Sequence, residues 1–214
     1  ASDFDHDSSD TDKLLYFSRY ATLAPSGHNT QPWLLTTSDG VLFVAIHPDH
    51  HLSIDGSGLL SVEPYISIGA FLETLELAAR GFGYKLLMTL RPDEQQLAEI
   101  HIGGGITPEP ELLDAIKTRV SNRNYFDTTR LPEEQLKTIT DSPLGDIETT
   151  ILTNRDDIEF IGQQTEVALG SIMSNPLYRT ELSQWVRTNH TRKFDGMPGF
   201  THGFGNIQSL VSKA

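Results

Sequence analysis

The chain reads as an α+β protein, because helical apolar stripes are interleaved along it with two β-hairpins and one long apolar segment suited to a central helix. Ser38, Asp39 and Gly40 separate two runs of strand-forming residues, 33–37 and 41–46, which predicts a tight hairpin turn. Residues 62–80 are apolar at Ile66, Ile68, Ala70, Phe71, Leu72, Leu75, Leu77, Ala78 and Ala79, which covers most of a helix circumference and predicts a place at the centre of a domain. Residues 84–90 and 97–102, on either side of Arg91, Pro92 and Asp93, predict a second hairpin.

The remaining elements follow in chain order. Leu14, Phe17, Ala21 and Ala24 recur at intervals of three and four, so a first helix is expected with Asp10 or Thr11 as its cap and Pro25 as its end. Gly81 is expected to stop the central helix by taking a positive φ. Gly103, Gly104 and Gly105, with Pro108 and Pro110, break the strand pattern and mark the expected seam between a first half, 13–108, and a second, 109–214. Residues 1–12, rich in aspartate, are expected to be a flexible acidic tail. In the second half a helix over 110–120 carries Leu112, Leu113, Ile116 and Val120, a short helix follows Pro132, and 147–153 is read as a strand. Asn154 is placed to cap a long helix bearing Ile158, Ile161, Ala168 and Ile172, and Pro176 to open another that runs through Leu182, Trp185 and Val186. Beyond Arg187 no periodicity is left, so a loop ordered by a ligand is expected.

Charge narrows the partners. Sixteen Lys and Arg against 29 Asp and Glu give a formal charge of −13, which repels nucleic-acid phosphates and anionic lipid. No apolar run reaches the roughly 20 residues of a membrane-spanning helix, and the acidic start is the reverse of a basic targeting segment, so a soluble, cytoplasmic protein is expected. The absence of cysteine excludes disulfides, thiolate metal sites and a cysteine nucleophile. His47, Asp49, His50, His51 and Asp55 fit no standard zinc spacing, and Ser26 with His28 lacks the strand-to-helix elbow of a hydrolase.

Two strings carry the chemistry. Ala24, Pro25, Ser26, Gly27, His28, Asn29, Thr30, Gln31, Pro32 and Trp33 form a small-residue segment between a helix end and a strand. Such a segment can offer backbone N–H groups, hydroxyls and amides to the polar edge of a flat heterocycle, or it can simply end the helix with Trp33 as a core anchor. Arg119, Val120, Ser121, Asn122 and Arg123 set two guanidinium groups around a hydroxyl at a helix end, a set that suits a phosphate dianion and equally suits solvated arginines at a helix C-terminus.

The first string resembles the Ala-Pro-Ser-x-x-Asn-x-Gln-Pro-Trp signature of the nitroreductase superfamily, in particular its Acg-like branch, in which two nitroreductase-like halves are fused. Residues 63–70 are similar to the Ser-x-Gly-Ala start of that branch's central helix. Glu181 to Trp185, with Asp195, Gly196, Met197 and Pro198, resembles its later Glu-Leu-x-x-Trp and Asp-Gly-Ile-Pro elements, and Arg119, Ser121 and Arg123 resemble its phosphate anchor. Val120 and Asp55, Gly56, Ser57 and Gly58 depart from the branch's usual residues, and relatives continue well past the point matching Ala214, so the second half is expected to be incomplete.

The resemblance implies a mainly antiparallel central sheet with packed helices and an FMN cofactor. Its phosphate would be held by Arg119, Ser121 and Arg123, and its ribityl chain and ring would be approached by Pro25, Ser26, Gly27 and Asn29. It implies an oxidoreductase in which NAD(P)H reduces flavin N5 and a small acceptor such as a nitroaromatic or quinone reoxidises it, with no dedicated protein acid or base. The alternative is a flavin-binding or flavin-sequestering protein with little turnover. The fused halves would imitate a dimer within one chain, and a further homodimer is compatible with this.

Overall fold

Ser9 opens the first helix, α1 (Asp10–Ala21), its hydroxyl accepting the Asp12 N–H in a computed structural model that describes residues 3–52, 62–91, 95–123, 126–127, 129–141 and 150–211. The cap is thus one residue before the expected Asp10 and two before Thr11, and Asp10 and Asp12 fall in the first turn, where the helix dipole favours negative charge. Order extends further still into the segment expected to be a tail. Phe4 lies 4.5 Å from Phe82 and 5.4 Å from Phe17 between ring centroids, closing an aromatic cluster at one end of the core. The helix ends at Ala21, before Pro25 is reached.

The hairpin read at 38–40 forms between β1 (Trp33–Ser38) and β2 (Val41–Ile46), with Asp39 and Gly40 both at positive φ as a two-residue turn requires. The second hairpin joins β3 (Tyr84–Leu90) and β4 (Gln96–Gly105), and β4 also pairs with β2. The result is a four-stranded antiparallel sheet in the order β1-β2-β4-β3. Gly103, Gly104 and Gly105 therefore continue β4 where the strand pattern was expected to break. Gly105 and Gly104 pair with Tyr84 and Lys85, and Gly103 falls at the register shift before Leu86 pairs with Ile102.

The long central helix α2 (Glu63–Gly81) buries Ile68, Phe71, Leu72, Leu75, Ala78 and Ala79, but Tyr65 and Ile66 stay exposed, so it is covered on one side only. It packs with α1 on the sheet face formed by Leu42, Val44, Leu86, Ala98 and Ile100. The opposite face carries Thr36, Thr89, Glu99 and His101 and is open, the usual arrangement of an antiparallel sheet with one solvated side. The stop also differs from expectation. Gly81 lies inside the helix, and the positive φ of 85° belongs to Gly83, where a side chain would meet the Ile106 carbonyl oxygen at 3.0 Å.

The helix α3 (Glu111–Thr118) adds Leu113 and Ile116 to the same core. Arg80 at the end of α2 grips Glu109 with two parallel bonds of 2.9 and 2.8 Å, so the chain crosses the expected 108/109 boundary pinned to the first core. Beyond it, α4 (Glu133–Thr140) and α5 (Arg155–Ser174) form as read, the latter capped by Asn154, but neither buries a residue. The expected strand at 147–153 is corrected at 150–153, which have no strand structure, while 147–149 lie outside the described residues. After α6 (Pro176–Trp185) come a short parallel pair, β5 (Val186–Arg187) and β6 (Met197–Pro198), a 3₁₀ turn (Gly199–His202) and α7 (Asn206–Val211). The region read as a loop thus carries short regular elements, each too brief to produce a periodic signal. Among the described residues no helix is long and apolar enough to cross a membrane.

Candidate functional site

The segment after α1 leaves helical geometry abruptly. Ser26 is extended, Gly27–Asn29 form a 3₁₀ turn, and His28, Asn29 and Gln31 all hold positive φ, at 48°, 54° and 53°. Three non-glycine residues in the left-handed region within four positions store strain that the surroundings must hold in place. They do so from several directions. The Ser26 hydroxyl accepts the Gln31 N–H at 3.0 Å, the Gly27 N–H donates to Ser67 Oγ of α2 at 3.2 Å, and α6 packs against the turn. Most N–H groups of the segment are used in this way, since Asn29 bonds Ser26 and Thr30 bonds Gly27 as well. A ligand would thus meet mainly side-chain groups here, a correction to the expectation of free backbone donors.

Asn29 has a role that its sequence position did not reveal. Its side-chain amide donates to the Phe194 and Gly196 carbonyls at 3.1 and 3.0 Å, and its own carbonyl accepts the Gly196 N–H at 3.0 Å. Gln31 adds a 2.7 Å bond to the Phe194 carbonyl. Gly196 is required at this joint because its φ is 78° and a Cβ would stand 2.5 Å from the Trp185 carbonyl oxygen. Asn29→Ala is expected to lower the stability of the protein by about 1–2 kcal/mol, since two side-chain bonds and a residue tolerant of positive φ are lost together. Thermal melting of the purified variant checks this, and an unchanged melting curve would remove the clamp.

Across from this segment, α3 ends at Arg119, whose guanidinium donates to the Leu23 carbonyl at 3.1 Å and ties the second string to the chain just ahead of Pro25. Between them lies a cleft of about 760 Å³ lined by Pro25, Ser26, Asn29, Arg119, Ser121 and Arg123, together with Lys193, Phe194 and Phe200. Six of the seven expected site residues share this one space. Gly27 does not line it but sits behind, where a side chain would collide with the Glu63 carboxylate at 2.6 Å. The lining contains three cations and no carboxylate, in a chain of formal charge −13. Arg119, Ser121 and Arg123 are exposed, and Arg123 makes no hydrogen bond or ion pair among the described residues.

His28 lies beneath the turn with its Nδ1 buried and without a hydrogen-bond partner among the described residues. Burial, opposed by the Glu181 carboxylate and reinforced by the Arg123 and His202 charges, holds its pKa below the ordinary imidazole value. His202, next to Arg123, is displaced the same way, again mainly by burial. The folded state resists a proton that the unfolded chain accepts, so stability is full above the ordinary imidazole pKa and falls as pH drops below it toward the folded value. We expect His28→Asn, which keeps a residue tolerant of positive φ, to lose less stability than the parent between about pH 7 and pH 5. Denaturant midpoints at the two pH values test it, and identical losses would clear His28 of the effect.

Lys193, Phe194, Phe200 and the Asn29 to Gly196 clamp were missed from sequence, where the only signal was an aromatic-containing aperiodic stretch after Arg187. The segments that were singled out converge instead through contacts far apart in the chain: Ser67 on Gly27, α6 on the 3₁₀ turn, and Gly196 on Asn29. No protein-family model matches the chain, and no curated protein matches it.

Proposed function

We propose that this cleft binds FMN and that the protein is a flavin-dependent oxidoreductase of the nitroreductase-like, Acg-like kind. The observation that carries the reading is a cleft lined by Arg119, Arg123 and Lys193, without a carboxylate, in an otherwise strongly acidic chain. Such a site selects an anion, and its volume lies within the range of about 300–1,000 Å³ typical of cofactor and ligand pockets. The donors fit the cofactor in kind. Two guanidinium groups and the Ser121 hydroxyl suit a phosphate dianion, while the Ser26 hydroxyl, the Asn29 side-chain carbonyl and the Phe194 and Phe200 rings suit a polar-edged flat heterocycle. When bound, the flavin would accept hydride from NAD(P)H at N5 and pass electrons to a small acceptor such as a nitroaromatic or quinone.

The share of the chain's own residues is binding, orientation and access. Arg119, held by the Leu23 carbonyl, and Arg123 anchor the phosphate, and the strained 25–31 turn supplies a rigid wall. The alternative reading, a flavin-sequestering protein with little turnover, is favoured by the way Asn29 and Gln31 fasten residues 194–196 along the cleft. Titration with FMN of the protein stripped of any bound flavin tests the shared premise, and a lack of saturable binding would end both readings. Anaerobic addition of NADH or NADPH to the complex then separates them: bleaching of the flavin absorbance on the turnover timescale supports the oxidoreductase, and a persistent oxidised spectrum supports sequestration.

A further inference from the structure

We infer that a second cleft, next to the first, is a binding site for a flat aromatic anion. It measures about 520 Å³ and is lined by Trp33, His47, His50, Lys193, Phe194 and Asp195, with Gln31. It shares only Gln31, Lys193 and Phe194 with the larger cleft.

Each lining group has a state that suits this ligand. The Trp33 ring is packed on buried Phe71 at 5.1 Å, which fixes it as a wall. Phe194 is 93% exposed, an unusual state for a phenyl ring, and its backbone is held in place by Asn29 and Gln31. A rigidly mounted, solvent-facing aromatic at a cleft offers stacking surface that no ring among the described residues uses. The sole carboxylate of the lining, Asp195, is engaged by Arg187 at 3.2 and 3.1 Å in a nearly buried pair, so its charge is answered from within the protein. Lys193 Nζ and the His50 ring nitrogens have no hydrogen-bond or ion-pair partner among the described residues. His47 Nδ1 accepts the Asp49 N–H at 3.1 Å, which leaves Nε2 as the protonated, donating nitrogen of the neutral ring. The site thus presents one ammonium group and imidazole donors beside two aromatic rings. That combination recognises a carboxylate or sulfonate attached to a flat ring system. It does not depend on the flavin reading, since none of the residues that would hold the FMN phosphate line it.

The test is calorimetric titration of the full chain, without flavin, using 2-naphthoate and its neutral counterpart 2-naphthalenemethanol. Saturable binding of 2-naphthoate is expected, with the alcohol weaker by about tenfold or more because it forfeits a charge-assisted bond. Lys193→Met and His50→Ala are expected to reduce the affinity, and Arg123→Ala, which alters only the larger cleft, to leave it unchanged. Lys193 and Phe194 are exposed, so Lys193→Met and Phe194→Ala should keep the parent melting temperature, and Phe194→Ala should lower affinity for both ligands. Absence of saturable heat, equal binding of acid and alcohol, or loss on Arg123→Ala without loss on His50→Ala would each overturn the inference. FMN titrated into the same preparation is a separate readout, so failure of the flavin reading leaves the 2-naphthoate result standing.

Discussion

Phe71→Ala is expected to destabilise the protein by about 3–5 kcal/mol, the usual loss when a fully buried phenyl ring is removed and its space cannot collapse. Phe71 has no exposed surface and lies where α2 meets the sheet, with Trp33 of β1 tilted against it at 5.1 Å. Leu42, Val44, Leu75 and Ile100 of the same core cluster are themselves fully buried and held in the paired strands and α2, so the core cannot easily collapse into the cavity. A loss of this size is a large fraction of the roughly 5–15 kcal/mol that holds a domain together. The denaturant midpoint should fall steeply and the Trp33 fluorescence should change with it. A loss near the ~1 kcal/mol of an average substitution would mean that α2 is not the centre of the fold.

The second large effect concerns the proposed FMN site. Arg119→Ala and Arg123→Ala are each expected to weaken FMN binding by about 1.5–3 kcal/mol, or roughly 10- to 150-fold in Kd, as befits the loss of a charge-assisted hydrogen bond to phosphate. The two variants should differ in the flavin-free protein. Arg119 also bonds the Leu23 carbonyl and so bears on the local fold, whereas Arg123 has no hydrogen bond to lose among the described residues. Riboflavin, which lacks the phosphate, should bind the parent more weakly than FMN, and the gap should narrow in both variants. Arg155→Ala supplies the charge control, because Arg155 pairs with Glu159 on α5 and does not line the cleft. Equal FMN affinity in the parent and both cleft variants would withdraw the phosphate anchor, and with it the flavin assignment.

The parts of the fold that were legible in the sequence are those decided over a few residues. Asp39 and Gly40 announce a hairpin because only such residues take two successive positive φ values cheaply, and Asn154 and Pro176 announce helix starts because they satisfy or lack the first N–H groups. Errors arose where a local signal was overruled from afar. The glycine run at 103–105 looks like a break in isolation, yet the backbone of β3 pairs with it. The helix α5 forms as read, yet its Ile158 and Ile161 are exposed, because periodicity declares a face without saying what covers it.

For the candidate site the division is similar. The composition of the 25–32 and 119–123 strings was enough to nominate their residues, since hydroxyls, amides and guanidinium groups advertise their chemistry wherever they fall. Asn29 shows what composition leaves out: its amide fastens Gly196, a partner that no local pattern could identify. By itself the sequence announced both hairpins, the central helix, the Asn154 cap and the acidic charge that makes three clustered cations conspicuous. Only the tertiary structure decided that Arg119 and Arg123 face Pro25 and Ser26 across one cleft, that Phe194 stands exposed between two clefts, and that the second half of the chain adds no separate buried cluster to the described core. Turn and helix propensities act through neighbours along the chain, whereas a cleft is made by surfaces that meet only after distant segments have packed.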